Sequence, residues 1–583
     1  MLIGARRAVL GARPWWLASA WLSSAADRPA VIIDHNRGRY ALPALGPELI
    51  PDPELDTAGL WTAGTGWTVS GGVATKTAGT GSYLALTGST VVIGAVYCIT
   101  YTVATRTAGA TVPSIGNVDG STASAAAGTY TNYVVAAATT TTGGAGLNIY
   151  ANSAFAGTIS RVSVQQVQLG ASLTSPTLRA GVFSDLLSVS ATRSGTASTY
   201  VDSDGLMKSL ATSDVPRFTW LGGKRRLVVE PASTNLMTYS QDANNAIWVK
   251  TNCTVSPDVA IAPDGTLTAD KIISNLGATG FLAQSNPYSF TSGSPVTMSR
   301  FYRADEISSA LFLVSNGAFG GTGANGTCEF YLSTLTVVAS RADVRGSIMP
   351  YGNGWYRCAM TIVPTATATA NIQWDRAIAA GDGVSGIYAW GAQLETLAYA
   401  TSYIPTAAGT VARAAEIVTG SALLTALHRR ATGTHVMRYL QQDDPVLAPA
   451  RQTLWSMNMD FGNSRLSVRK APSAGAEGPQ GAVGNGSSVS SLTAGSGLGA
   501  DAGESIGAVL AWDASSSRLA VKGALAGGSD GGGWDAASNS ASVFYIGRNS
   551  DGTTPSAMLI DQDLIYPVRV SNTALPGLAV RAA

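Results

Sequence analysis

The sequence predicts an all-β protein, in which tandem antiparallel β-sandwich or jelly-roll modules follow an irregular N-terminal arm. Short runs of alternating or β-branched residues recur between clusters of Gly, Ser and Thr, which is the pattern of strands in sandwiches. Charged residues make up 13% of the chain, about half the usual fraction, and long surface helices need such residues. The 66 glycines suit tight turns with positive φ.

The chain of 583 residues exceeds what one hydrophobic core supports, about 250–300 residues. Turn clusters divide it into an anchoring arm at 1–46, a first β-sandwich at 47–168, a connector at 169–225, a second jelly-roll module at 226–415 and a third sandwich at 416–583. The second module repeats the plan of the first, so we match Trp248 with Trp67 and the closing segment 386–393 with 157–165. One helix is predicted, at 421–430.

The N-terminal segment carries arginines, then a short apolar stretch, then small residues, as a signal peptide does. Pro14 and a nearby tryptophan cluster make a poor apolar core for such a signal. We therefore interpret the segment as an arm that binds a partner, since Trp and Arg are favoured interface anchors. The candidate anchoring residues are Arg6, Arg7, Arg13, Trp15, Trp16 and Trp21.

Composition also argues against several partners. The formal net charge of +1 provides no basic field for nucleic acid. No run reaches the roughly 20 apolar residues of a transmembrane helix, so membrane insertion is not expected.

The cysteines show no C-x-x-C spacing and are expected to be free buried thiols; they are Cys98, Cys253, Cys328 and Cys358.

The chain lacks the sequence motifs of the common catalytic sites. It contains no H-E-x-x-H, no G-x-S-x-G and no Walker A lysine motif. A G-x-G-x-x-G match at 321–326 precedes a strand pattern rather than a helix, so we interpret it as a glycine-rich hairpin. Acidic residues are scattered, whereas a glycoside hydrolase needs two carboxylates across the scissile bond. We predict no catalytic residue and no cofactor.

Two acidic segments are candidate metal ligands. The segment 202–205 could place carboxylates around Ca²⁺, but it lacks a downstream Glu at calcium-loop spacing. We therefore expect a polar turn there. Asp561 and Asp563 are expected to lie at a solvated strand end, and no metal site is predicted.

Aromatic residues are the best binding candidates, because sugar rings can stack on them. Trp355, Trp390 and Trp512 lie in strand-like runs and are expected in cores. Trp534 lies among glycines, which predicts an exposed loop. The candidate glycan- or receptor-binding residues are Trp534, Tyr545, Trp374 and Tyr356.

Several motifs occur in order between 191 and 416. They are TYVDSDG at 199–205, VPRF at 215–218, LVVEPASTNL at 227–236, GWYR at 354–357, AWGAQLE at 389–395, SYIPT at 402–406 and RAAE at 413–416. This stretch resembles virion proteins of tailed bacteriophages, and the resemblance implies a carbohydrate-binding-module-like jelly roll in a tail or head fibre. The segments AWD at 511–513, LAVKG at 519–523 and YIG at 545–547 resemble a concanavalin A-like (laminin-G-like) sandwich.

The resemblance implies a non-enzymatic tail fibre or spike protein that is assembled in the host cytoplasm and resides in the virion. The arm would attach to tail, baseplate, portal or capsid proteins. The C-terminal module would point outward and bind a host-surface polysaccharide or protein receptor, and family analogy implies a homotrimer. The alternatives are a head fibre, decoration or tail-tip protein with an architectural role, a secreted glycan hydrolase with binding modules, and a bacterial adhesin.

Overall fold

A computed structural model describes residues 29–580 of the chain. Within that range it leaves out 37–38, 122–125, 142–144, 170–178, 181–186, 191–197, 211–215, 285–286, 322, 443–451, 459–464, 471–478, 485–488, 494–503, 527–531, 535–542 and 548–557. Antiparallel strands dominate the described residues, and helices are few and short. The predicted all-β class is therefore confirmed.

The first sandwich is preceded by β1 (Val31–Asp34) and β2 (Arg39–Ala41). Its own strands are β3 (Leu45–Glu48), β4 (Trp61–Ala63), β5 (Trp67–Ser70), β6 (Val73–Lys76), β7 (Ser82–Leu86), β8 (Val96–Ala108), β9 (Thr111–Ile115), β10 (Val118–Asp119), β11 (Gly128–Val135), β12 (Leu147–Ala151) and β13 (Ala156–Val167), with a 3-10 helix at Ala58–Leu60. One sheet has the order β10-β9-β12-β7-β4 and the other β11-β8-β13-β6-β5, with β3 beside β13.

The chain then forms β14 (Arg179–Ala180), β15 (Leu187–Ser190), β16 (Thr199–Val201), β17 (Met207–Ser209), β18 (Phe218–Leu221) and β19 (Lys224–Val229). The second sandwich follows with β20 (Ser233–Asn235), β21 (Trp248–Thr251), β22 (Cys253–Ile261), β23 (Leu267–Ser274), β24 (Phe281–Gln284), β25 (Tyr288–Phe290), β26 (Val296–Arg303), β27 (Ser309–Val314), a 3-10 helix at Asn316–Phe319, β28 (Gly326–Tyr331), β29 (Thr336–Ala339), β30 (Val344–Gly352), β31 (Trp355–Ile362), β32 (Ala368–Ala370), β33 (Ile372–Arg376), β34 (Gly386–Glu395) and β35 (Val411–Arg413).

The second sandwich has the same topology as the first. Its sheets have the orders β21-β24-β33-β27-β28-β29 and β22-β23-β34-β26-β31-β30. Read from β4 and from β5, the sheets of the first sandwich follow the same two paths, to which the second sandwich adds β29 and β30 as one further edge strand in each sheet. The predicted repeat is therefore confirmed. One detail is corrected: Trp248 lies on β21, whose position in the sheet is that of β4, so its counterpart is Trp61 rather than Trp67.

The third sandwich contains β36 (Ile417–Gly420), helix α1 (Ala422–Arg429), β37 (Gly433–Gln441), β38 (Gln452–Asn458), β39 (Arg465–Lys470), β40 (Pro479–Gly484), β41 (Val489–Thr493), β42 (Ser505–Trp512), β43 (Ser517–Val521), β44 (Ala524–Leu525), β45 (Phe544–Ile546), β46 (Met558–Tyr566) and helix α2 (Leu575–Ala579). The predicted helix is confirmed as α1. The Ser421 side chain caps it by accepting a hydrogen bond from the Leu424 amide at 3.3 Å.

Segments far away in sequence complete the third sandwich, which corrects the predicted boundaries. Its larger sheet has the order β14-β2-β1-β46-β37-β42-β43-β44, and β19 also pairs with β46. In its second sheet, β15 pairs with β36. Parts of the predicted arm and of the predicted connector are therefore strands of this sandwich. All four residues of Val31–Asp34 are buried, so β1 lacks the polar alternation that marks a one-sided strand.

Other features agree with the sequence. The four cysteines are free and buried, and the glycine-rich segment at 321–326 leads into strand β28. Trp355, Trp390 and Trp512 are buried in cores.

No helix among the described residues is long and apolar enough to cross a membrane.

Candidate functional site

The candidate binding cavity is a groove on the second sandwich, with a volume of about 490 Å³. Ligand pockets are typically about 300–1,000 Å³. The groove lies where β24 and β33 give way to the short ladder of β25 and β32. Its lining consists of Leu236, Met237, Thr238, Ile247, Phe281, Ala283, Gln284, Pro287, Tyr288, Asn371, Ile372, Gln373, Trp374 and Ala408.

Strand alternation determines which side chains reach the groove. Leu282 and Trp374 are Cα partners across β24 and β33, and both are buried in the core. Phe281 and Gln373 are their chain neighbours, so they lie on the opposite face of the sheet. Trp374 packs edge-on against Trp248, with ring centroids 6.1 Å apart at 90°. This contact lies in the core beneath the groove.

Two aromatic rings and three amides form the chemically distinctive part of the lining. Phe281 and Tyr288 are half-buried, and so are Gln284 and Gln373, whereas Asn371 is exposed. Aromatic rings present apolar faces, and amides carry both donors and acceptors. This combination can stack on the apolar face of a sugar ring while hydrogen-bonding its hydroxyl groups.

Neighbouring groups fix the orientation of the glutamine amides and the state of the phenol. The Gln284 side chain donates to the Thr238 carbonyl at 2.7 Å. The Gln373 carbonyl accepts from the Arg376 guanidinium at 2.9 Å, and the guanidinium carbon lies 5.5 Å from the centre of the Phe281 ring. Burial raises the pKa of Tyr288, so its hydroxyl stays protonated and can donate.

The first sandwich shows what the same position looks like when it is closed. Strand register aligns Tyr83 with Phe281 and Asn148 with Gln373. Asn148 is buried, and its side-chain NH₂ donates to the buried Thr141 hydroxyl at 2.6 Å. The corresponding Gln373 is only half-buried. The open groove is therefore a property of the second module and not of the shared topology.

The structure does not bring the four predicted binding residues to one surface. Trp374 contributes to the groove, but it is 1% exposed, so the prediction of an exposed ring there is wrong. Its position opposite Leu282 directs it into the core. Tyr356 lies on β31 in the other sheet of the same sandwich and is half-buried against the core. Tyr545 is a half-buried residue of β45 in the third sandwich.

Trp534 is also buried rather than exposed, with 1% of its surface accessible. Its amide donates to the Asp513 carbonyl at 2.9 Å. A Cβ on the preceding Gly533 would lie 2.0 Å from the Ala514 carbonyl oxygen. The glycine therefore permits close backbone packing, and this lets the tryptophan ring reach the core. The glycines that predicted exposure instead make burial possible.

The predicted anchoring residues of the arm, at positions 6, 7, 13, 15, 16 and 21, lie outside the described residues.

The phage-like motifs converge on a buried ionic cluster. Arg217 donates from Nη2 to Glu230 and from Nε to Glu416, each at 2.6 Å. Arg413 contacts Glu230 at 2.7 Å, and Ser402 contacts both Arg217 and Glu230. Burial raises the pKa of Glu230, but the Arg413 and Arg217 cations overcome this and lower it to about 2. These motif residues hold the second sandwich to its connecting strands and take no part in the groove.

The acidic segments that are candidate metal ligands have other roles in the structure. Asp202 accepts hydrogen bonds from the amides of Asp204 and Leu206, each at 2.9 Å, as expected for a polar turn. Asp561 pairs with Arg226 at 2.7 Å. Asp563 is buried rather than solvated, which corrects the expectation for that strand end. Among the described residues, no cluster of His, Cys, Asp and Glu could hold a metal ion.

Sequence reasoning missed the principal groove residues Phe281, Tyr288, Gln284, Asn371 and Gln373. A signal was present in two short segments, FLAQ at 281–284 and NIQW at 371–374. In each, residues of the accessible face alternate with core residues, as Phe281 does with Leu282 and Gln373 with Trp374. Gln284 lies on the same face as Leu282 and reaches the groove at the end of β24.

No protein-family model matches the chain, and no curated protein matches it. Among solved structures, the chain is similar to the CBM40 module of the Ruminococcus gnavus IT-sialidase bound to alpha2,6 sialyllactose. The sequence identity is 20%, with 26% of this chain and 83% of that chain covered, and the TM-score is 0.22. It is also similar to domains LG4-5 of the mouse laminin alpha1 chain, with 10% identity, coverage of 49% and 88%, and a TM-score of 0.16. Similarity at these TM-scores decides neither fold nor function.

Proposed function

We propose that this protein is a non-catalytic glycan-binding component of a tailed-phage fibre or spike, and that the groove of the second sandwich binds host-surface glycan. The groove carries the proposal, because it combines Phe281 and Tyr288 with amide side chains in a cavity of about 490 Å³. The phage-like motifs at 199–205 and 215–218 support the virion assignment. Attachment through the arm and a homotrimeric state belong to the same proposal.

A binding role fits this groove better than a hydrolytic one. Glycoside hydrolysis ordinarily requires an acid and a second carboxylate on opposite sides of the bond. None of the residues lining the groove in the described part of the chain is Asp or Glu.

The position of β1 supports a different orientation of the proposed fibre from the one that the sequence predicted. The Ala30 amide donates to the Ile565 carbonyl at 2.6 Å, so the chain before residue 30 leaves from the third sandwich. An arm that attaches to the particle would therefore hold the third sandwich nearest to it. The second sandwich is then free to face the host, and Tyr545 becomes the less favoured contact.

The proposal is tested with the full chain on a panel of host-surface polysaccharides. We expect Phe281→Ala and Tyr288→Ala each to weaken binding by about tenfold, since an aromatic contact is worth about 1 kcal/mol beyond its buried area and 1.4 kcal/mol corresponds to a factor of ten. Tyr83→Ala is the matched control, because Tyr83 occupies the register position of Phe281 in the closed first sandwich.

Tyr545→Ala is a further variant in the same experiment. Loss of binding in that variant, with the groove variants unaffected, would move the receptor site to the third sandwich. Absence of binding to every polysaccharide by the intact chain would refute the glycan proposal and favour an architectural role.

A further inference from the structure

The groove offers no charged side chain to a ligand. Its lining consists of aliphatic, aromatic, amide and hydroxyl residues, and Tyr288 is the only side chain among them that can ionise. Burial raises the pKa of that phenol, so it is uncharged at neutral pH.

Arg376, a cation that contacts this lining, is already engaged. The Arg376 guanidinium donates to Gln373 at 2.9 Å and to the Thr279 hydroxyl at 3.4 Å. It also lies 5.5 Å from the centre of the Phe281 ring. A carboxylate in the groove would have to draw this guanidinium away from those contacts.

The apolar walls increase the cost of binding a charged group. Leu236, Met237, Ile247 and Ile372 line the same cavity as the aromatic rings. Moving an ionised carboxylate or ammonium group into such surroundings without a partner is strongly unfavourable, whereas hydroxyl groups can be satisfied by the amides.

We infer that the groove is selective for uncharged sugars and rejects uronic acids, sialic acids and amino sugars with a free amine. This inference rests on the proposed function and names the ligand class of the same site. Since no ion pair contributes to binding, the affinity is also insensitive to salt.

The test is saturation-transfer NMR on the full chain with two matched pairs of sugars. The pairs are glucose with glucuronic acid, and N-acetylglucosamine with N-acetylneuraminic acid. We expect the neutral member of at least one pair to bind, with its acidic partner at least tenfold weaker. We also expect the neutral affinity to stay within about twofold between about 50 and 500 mM NaCl.

Equal or tighter binding of an acidic sugar would overturn the inference. Loss of that binding in Arg376→Gln would then identify the guanidinium as an anion anchor, and the glycan-binding function would still stand. If none of the four sugars and no host polysaccharide binds, the proposed function fails and the inference fails with it. The two failures are therefore distinguishable.

Discussion

Arg217 is buried between two carboxylates, and its contacts connect several of the motifs between 199 and 416. The VPRF motif contributes Arg217, the segment 227–236 contributes Glu230, and the RAAE motif contributes Arg413 and Glu416. A guanidinium is planar and can bridge two carboxylates in a fixed geometry. The sequence motifs therefore indicated the residues of the buried ionic cluster more clearly than the residues of the groove.

Removal of the Arg217 side chain leaves two buried carboxylates with less compensating charge. We expect Arg217→Ala to lower the free energy of unfolding by about 3–5 kcal/mol, measured by urea denaturation of the full chain. Arg161→Ala is the control, because the Arg161–Glu54 pair is largely solvent-exposed and such pairs contribute at most about 1 kcal/mol. Similar small losses in both variants would show that the buried cluster is not stabilising.

The burial of individual side chains was the feature of the structure that the sequence predicted least well. The burial of Trp534 depends on the close approach of Gly533 to Ala514, which no local pattern reveals. The groove residues depend on which face of a strand is covered by the next loop. In the first sandwich, Thr141 accepts a hydrogen bond from Asn148, the counterpart of Gln373, and this difference between the two modules arises from tertiary contacts.

Strand β1 is the element whose role departs most from the sequence prediction. It pairs with β46 from Val31↔Ile565 to Asp34↔Gln562, and β19 pairs with the remainder of the same β46 edge. The sequence predicted an anchoring arm at 1–46, but the partner of this strand lies more than half a chain away. Periodicity identifies strands, and it carries no information about such long-range pairing.

The third sandwich should therefore require β1. Ile33 is buried in the main core of that sandwich, so we expect Ile33→Ala to lower the free energy of unfolding by about 2–5 kcal/mol. The measurement is thermal or urea denaturation, with the exposed Val92→Ala as control. A fragment of residues 416–583 should not fold alone, because β46 would lose its partners along one edge. Cooperative unfolding of that fragment would contradict the role of β1.

All three histidines of the chain lie in one buried network at the junction of β1, β37, β46 and α1. Asp563 accepts from His435 at 3.0 Å and lies 3.3 Å from His35. His428 Nδ1 lies 2.8 Å from the Leu424 carbonyl, so this nitrogen carries the proton. Its Nε2 lies 3.0 Å from His435 Nδ1.

This network makes stability depend on pH. Burial, together with the neighbouring His435, holds the pKa of His428 well below 6.5. The unfolded chain therefore binds a proton near pH 6.5 that the folded chain does not, and stability falls as the pH decreases below that value. Burial raises the pKa of Asp563, but hydrogen bonds from His35 and His435 produce a net lowering. A further loss is therefore expected below about pH 4.

We expect the free energy of unfolding to fall between pH 7 and pH 5, by at most about 1.4 kcal/mol per pH unit for each titrating group. His428→Leu should show a shallower decrease over the same range. Urea denaturation at several pH values measures both slopes. An unchanged slope in the variant would exclude His428 as the titrating group.

At the scale of the whole molecule, the sequence predicted an all-β chain and a duplicated module, and both are confirmed. The two modules have the same strand order in both sheets, and short alternating strands made this repeat visible in the sequence. The arrangement of the modules was not predictable, because β1 and β19 cross into the third sandwich. That crossing places the start of the described chain beside β46.

The most direct test of the central claim is an experimental structure of the full chain with the neutral sugar that binds best in the NMR panel. We expect density for the sugar in the groove, in contact with Phe281 and Tyr288 and within hydrogen-bond distance of Gln284 or Gln373. Sugar density beside Tyr545, or at any other surface with the groove empty at saturating ligand, would contradict the claim that the second sandwich carries the glycan-binding site.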